Sequence, residues 1–237
     1  MYTYGTIVPS ERVGFVYAQI SDVWRAANPV SIHTAYIRTW RNRIIRPDGL
    51  PYNLSEPSRL DFSRGQSRVI LALTGKKTKG FFLDVGAGDG ETNSVTLGLE
   101  LQAQWEGLLV EGDPIKFSKL LRKHRRAECL QAKILSGNKA GSSASNLELL
   151  PSDLFEMVNR TYIDLLNINL HGQELDFLWA VNLNLHTVKI VVIEMQADIS
   201  REQYLQVTGV MARRGYRISH HIVDGRHKKK DIVFARD

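Results

Sequence analysis

Phe82-Leu83-Asp84-Val85-Gly86-Ala87-Gly88-Asp89-Gly90-Glu91-Thr92 joins a short apolar run to an acid and then to three glycines at alternate positions. An unbroken apolar run fits a strand buried on both faces. Glycines at its end permit dihedrals that a Cβ blocks, and they let the backbone approach a ligand closely. The segment reads as the first strand of a parallel sheet turning into its first helix, the place where doubly wound sheets bind ligands.

Working outward, further apolar segments at 108–111, 128–132, 165–170 and 188–194 alternate with amphipathic ones, which predicts a parallel sheet with helices on both faces. After the second strand, Phe117, Leu120, Leu121 and His124 recur at helical spacing, with Lys116, Lys119, Lys123 and Arg126 on a face read as solvated. Ser200 and Gln203 form a capping box, and Gly215 ends that helix. Two last strands, 216–223 and 231–235, are joined by too few residues for a crossover helix, so they pair antiparallel. The expected fold is α/β, a doubly wound Rossmann-like sheet of seven strands over residues 79–237. Residues 1–78 form an N-terminal, helical extension, read as a lid or substrate-recognition segment.

Composition narrows the class. The 237 residues are 43% hydrophobic and 24% charged, a globular profile. The longest apolar runs, such as Ile190 to Ile193, fall far short of the roughly 20 residues that span a bilayer. Cys129 is the only cysteine, which excludes an internal disulfide and a cysteine-based zinc cluster. With no secretory-type start, these features predict a cytoplasmic protein. His33, His220, His221 and His227 fit no common ligand spacing, and no metal site is expected.

The glycine spacing is G-x-G-x-G, not the G-x-G-x-x-G of dinucleotide binders, and Asp84 precedes it. An acid there repels a pyrophosphate but suits S-adenosylmethionine, which carries a sulfonium and an ammonium. Glu111 closes the second strand, where a carboxylate accepts hydrogen bonds from both ribose hydroxyls of a nucleoside. The expected cofactor site is Asp84, Gly86, Ala87, Gly88 and Glu111, with adenine near Asp113 and Gln131.

These motifs, with Trp105 to Pro114, Ile163 to Glu174, Val191 to Glu194, Gly215-Tyr216-Arg217 and Asp231 to Phe234, resemble those of FkbM-type S-adenosylmethionine-dependent methyltransferases. The Star-like branch is nearest, through Ser94, Thr96, Leu99 and Glu100 downstream of the glycines. The resemblance runs from about residue 63 to 237 and implies a methyltransferase sheet and O-methyl transfer to a sugar-like or small hydroxyl acceptor. The chain departs from the family in the fourth-strand motif. Asn167, Asn169 and His171 stand where the family carries lysine, aspartate and glutamate.

Asn169 and His171 are the expected catalytic pair, the amide orienting the acceptor and the imidazole able to take its proton. Two other readings stay open. One is an RNA 2′-O-methyltransferase, acting for example at a cap, because the chain has 31 Lys and Arg against 25 Asp and Glu. Its basic groups are Arg38, Arg41, Arg43 and Arg46; Lys76, Lys77 and Lys79; Arg213, Arg214 and Arg217; and Arg226 with Lys228 to Lys230. The other is a cofactor-binding or interaction module that has lost catalysis.

Overall fold

A computed structural model describes residues 29–135, 147–183, 187–196, 199–223 and 230–236. Arg226, Lys228 and Lys229 lie outside the described residues. The chain divides into two compact units, Met1–Asn42 and Arg43–Asp237. Of the first, helix α1 (Pro29–Arg41) is described. It opens on a proline, whose missing N–H is no loss in a first turn, and Tyr36 packs edge-on to Trp40 one turn later.

The second unit contains β1 (Phe81–Val85), β2 (Glu106–Glu111), β3 (Glu128–Gln131), β4 (Lys133–Ile134), β5 (Glu148–Leu149), β6 (Tyr162–Ile168), β7 (Thr187–Met195), β8 (Arg217–Val223) and β9 (Lys230–Ala235). Seven of them form one sheet in the order β3-β2-β1-β6-β7-β9-β8, and β4 pairs with β5 in a small parallel ladder of its own. The pairs β3-β2, β2-β1, β1-β6 and β6-β7 are parallel, while β9 runs antiparallel to both β7 and β8. This is the doubly wound sheet with an antiparallel last pair that the sequence predicts. Because β1 sends its crossovers to β2 on one side and, later in the chain, β6 lies on the other, the strand order reverses at the C-terminal end of β1 and leaves a crevice there.

The core follows from the apolar runs. Phe82, Leu83, Leu109, Leu165, Leu166 and Ile190 to Ile193 are fully or almost fully buried, as expected for central strands covered on both faces. The edge strand β8 is largely exposed and carries a register shift between Ile218 and His220, which discourages pairing with another chain. Helix α2 (Gln66–Leu73), α3 (Leu97–Ala103), α4 (Pro114–Leu121), α5 (Pro151–Val158), α6 (Glu174–Ala180) and α7 (Arg201–Arg213) connect or cover the strands. Both halves of the Ser200–Gln203 capping box are formed, and Gly215 takes a φ of +79° just past the end of α7.

Several boundaries differ from the sequence reading. The compact unit begins at Arg43, ahead of the division at Lys79. Residues 43–65 hold no helix, because Pro47, Pro51 and Pro57 interrupt any helical ladder, and this segment is tied to the sheet instead. Ile45 exchanges backbone hydrogen bonds with Cys129 at 2.8 and 2.9 Å. Strand β3 stops at Gln131 rather than Ala132, and β6 at Ile168 rather than Leu170. His124 lies beyond α4 with a φ of +50°, its Nδ1 within 2.6 Å of an Asp48 carboxylate oxygen, so it is not part of that helix's apolar face.

Candidate cofactor and active site

The site is built where β1, β2, β6 and β7 end. Gly86 has a φ of +86°, and an ideal Cβ on it would sit 2.0 Å from the carbonyl oxygen of Asn169, so the chains leaving β1 and β6 touch at this point. The Asn169 N–H donates to the Val85 carbonyl at 2.9 Å, and the N–H groups of Gly86 and Ala87 both donate to the Val110 carbonyl. Glu111 closes the loop from the β2 side: one carboxylate oxygen accepts from the Gly88 N–H at 2.7 Å and the other from the Asp113 N–H at 2.8 Å. Each oxygen of a carboxylate has two lone pairs, so both keep capacity for a ligand hydroxyl.

Beneath the loop runs a buried polar network. Asp84, only 2% exposed, accepts from the Thr96 hydroxyl at 2.7 Å and from the Asn167 amide at 2.9 Å. Burial pushes its carboxyl pKa up, against the pull of those two hydrogen bonds. The Asn167 amide also donates to Glu194 at 3.1 Å, and the Asn169 amide reaches the other Glu194 oxygen at 3.1 Å. Arg64 joins from the segment before α2, with one guanidinium nitrogen 2.7 Å from Asp231 and 3.4 Å from Glu194. Gln66 donates to the same Asp231 oxygen. Burial, then the negative charge of Asp231, raises the Glu194 pKa to about 7.

Two amide oxygens in this network, Oδ1 of Asn167 and Oδ1 of Asn169, are buried without a hydrogen-bond partner among the described residues. A buried acceptor left unpaired costs about 1–3 kcal/mol, so a donor from a ligand is strongly favoured there. The donor set is thus acidic and rich in acceptors, which fits a cofactor bearing a sulfonium and an ammonium.

Two adjoining cavities, of about 320 and 300 Å³, open over these residues and share Gly86, Glu111, Lys116, Asn169 and His171. Asp84, Ala87 and Gly88 line the larger, together with Arg64, Lys119, Asn167 and Glu194. Asp113 lines the smaller, but its carboxylate accepts from the N–H groups of Ile115 and Lys116 and so caps α4. Gln131 lines neither cavity; Ala132, Lys133 and Ile134 take that wall, because the chain bends from β3 into the β4 ladder there. His171 reaches both cavities from a turn in which it and Gly172 have φ of +52° and +103°, with its Nδ1 3.1 Å from the Gln196 amide nitrogen.

The sequence reading misses four groups. Lys116 and Lys119 are exposed, as expected of a solvated helix face, and both also line the larger cavity. Of the other two lysine and arginine residues on that face, Lys123 is paired with Glu91, and Arg126 lies over the Tyr52 ring. Glu194 closes the fifth-strand motif but is not among the expected cofactor or catalytic residues; the sequence offers it, with Asp164 and Asn169, only as a remote candidate for a magnesium site. Arg64 has no local motif at all. Position did carry a signal for Lys116, since the first turn of a helix following a parallel strand faces the ligand-binding edge.

Two of the basic groups line neither cavity. Lys76, Lys77 and Lys79 precede β1 at the opposite edge of the sheet, where Lys77 bonds Asp164 at 2.7 Å. Arg213, Arg214 and Arg217 sit where α7 ends and β8 begins. Among the described residues no group of three or more His, Cys, Asp and Glu side chains is placed to hold a metal ion. None of the described helices is long and apolar enough to cross a membrane.

No protein-family model matches the chain, the FkbM-type family included, and no curated protein sequence matches it. Solved structures do resemble it. The METTL16 MTase domain superposes with a TM-score of 0.52 at 15% identity, covering 71% of this chain and 65% of that one. The chain therefore spans just under two thirds of that structure. A delta-N METTL16 MTase domain gives 0.52 at 12% identity over 88% and 97% of the two chains. A TehB-like SAM-dependent methyltransferase from Corynebacterium glutamicum gives 0.44 at 16% identity over 89% and 100%. At such identities the likeness is one of architecture: this chain has the Rossmann-like fold of methyltransferases, seven strands with the last pair antiparallel.

Proposed function

We propose that the chain is an S-adenosylmethionine-dependent methyltransferase acting on a hydroxyl of a small, sugar-like acceptor, as its FkbM-type motifs imply. The observation that carries the reading is the cradle around Gly86. Glu111 ties Gly88 to the start of α4, and beside it stand two unpartnered amide oxygens and two buried carboxyls.

When bound, the cofactor supplies an electrophilic methyl carbon attached to sulfur. Glu111 would hold the ribose hydroxyls, and the Gly86 to Gly88 backbone with Asp84 would hold the methionine end. Adenine would lie against Asp113, Ala132, Lys133 and Ile134, the wall of the smaller cavity. Asn169 and His171, which reach both cavities, would orient the acceptor oxygen. Displacement at a methyl group depends above all on alignment, and a rigid amide and imidazole supply it. Arg64 lines the larger cavity, which supports a substrate-recognition role for the later part of residues 1–78. Lys76, Lys77 and Lys79, and Arg213, Arg214 and Arg217, line neither cavity, which favours a small acceptor over RNA.

A radiolabelled methyl-transfer screen over sugars, small alcohols and capped RNA tests this. A hydroxyl acceptor should be labelled, with turnover falling at least about tenfold in His171→Ala. Labelling of capped RNA alone, with affinity that drops steeply with salt, would replace the small-acceptor reading. Cofactor binding without turnover on any acceptor would leave a binding module.

A further inference from the structure

We propose that Glu194 is the group that takes the proton from the acceptor, and that the positive charge of the bound cofactor arms it by driving its ionisation. This rests on the methyltransferase reading above.

The side chain stands at the end of β7, 6% exposed, and lines the larger cavity beside Asn169 and His171. Each of its oxygens is held in place by one amide, from Asn167 and Asn169 respectively. The charged and titratable groups around it come from four elements. Asp84 faces it from β1 across the shared Asn167 amide, and Asp231 pairs with it in register from β9. Arg64 reaches it from the segment before α2, and His171 comes from the turn after β6. Asp231 holds the shorter contact with Arg64, 2.7 Å against 3.4 Å, and also takes Gln66, so the guanidinium compensates Asp231 before Glu194. Asp84 lies beneath the glycine loop, held by Thr96 and Asn167. Glu194 lines the larger cavity together with Asn169 and His171, the two groups assigned to orient the acceptor oxygen.

Charge conservation favours this role. The acceptor oxygen gives its proton to Glu194 and its electron pair to the new bond with the methyl carbon; the carbon–sulfur pair stays on sulfur. A carboxylate with a sulfonium becomes a carboxylic acid with a neutral thioether, so no net charge is created in a poorly solvated pocket. Burial and the neighbouring Asp231 charge raise this carboxyl's pKa to about 7, which favours its protonated form in the free protein. A cation entering the same pocket favours the carboxylate and expels that proton.

Calorimetric titration of the full chain at several pH values, in buffers of different ionisation enthalpy, counts the protons. Near neutral pH S-adenosylmethionine should release a fraction of a proton, falling towards zero at about pH 9, while S-adenosylhomocysteine, which lacks the sulfonium charge, should release much less. In Glu194→Gln the release should vanish. In Asp231→Asn, loss of the like charge should move it to lower pH, a readout that stands even if Glu194→Gln does not fold. Binding with no proton release, or release unchanged in either variant, overturns the assignment of Glu194 and leaves the cofactor site standing. Failure of S-adenosylmethionine to bind at all overturns the methyltransferase reading, and this proposal with it.

Discussion

Gly86→Ala should abolish cofactor binding and cost the fold ~3 kcal/mol or more, whereas Gly88→Ala, two residues on, should cost only about 1 kcal/mol. Both glycines have positive φ, so an alanine is strained at either. They differ in what a Cβ would meet. At Gly88 nothing lies within 4 Å, but at Gly86 the new atom would sit 2.0 Å from the Asn169 carbonyl oxygen. That oxygen belongs to backbone anchored to Val85 by a 2.9 Å hydrogen bond, so relief requires separating the ends of β1 and β6. The separation would also displace the Asn169 side chain and the loop that Glu111 holds. Urea unfolding gives the stability difference, and a binding titration gives the loss of affinity. Equal effects of the two substitutions would show that the close approach of Gly86 to Asn169 does not constrain the site.

Arg125→Met should lower stability by about 3–5 kcal/mol, the usual result of leaving one partner of a buried ion pair uncompensated. The Arg125 and Glu100 side chains are both fully inaccessible, joined at 2.8 and 3.0 Å. The same guanidinium donates to the Gly90 carbonyl and to the Thr96 hydroxyl, which in turn donates to Asp84. The loss should therefore reach the cofactor site, weakening binding as well as folding. Adding Glu100→Gln should recover part of the loss, because it removes the orphaned charge. A denaturant midpoint shift equivalent to less than about 1 kcal/mol in Arg125→Met would mean that Glu100 finds another partner or takes up a proton.

How legible each part was in the sequence depended on how local its determinants are. Strand β7 shows itself as the run Ile190 to Ile193, which only a doubly covered strand accommodates, and α7 through a capping box confined to four residues. Asp84, Gly86, Gly88 and Glu111 were legible as candidates that line one cavity, because two strand ends and one loop contain them. Arg64 was not, since its partners Glu194 and Asp231 lie 130 and 167 residues away and only the completed sheet brings them together. Lys116 and Lys119 are exposed, as their helix face predicts, but their place in the lining of the larger cavity was not legible, because a helical wheel separates apolar from polar faces and does not show which exposed side chains border a cavity. Gln131 lines neither cavity for a smaller reason: that wall of the smaller cavity passes to Ala132, Lys133 and Ile134 once the chain leaves β3.

The central claim, that the cradle formed by Asp84, Gly86, Gly88 and Glu111 holds S-adenosylmethionine, is tested most directly by calorimetric titration of the folded chain with that cofactor. Saturable binding at one site is predicted, weakened at least about tenfold by Glu111→Ala and by Asp84→Ala, as expected when a charge-assisted hydrogen bond is lost. Absence of saturable binding to the folded protein, or affinity unchanged in both variants, would contradict it.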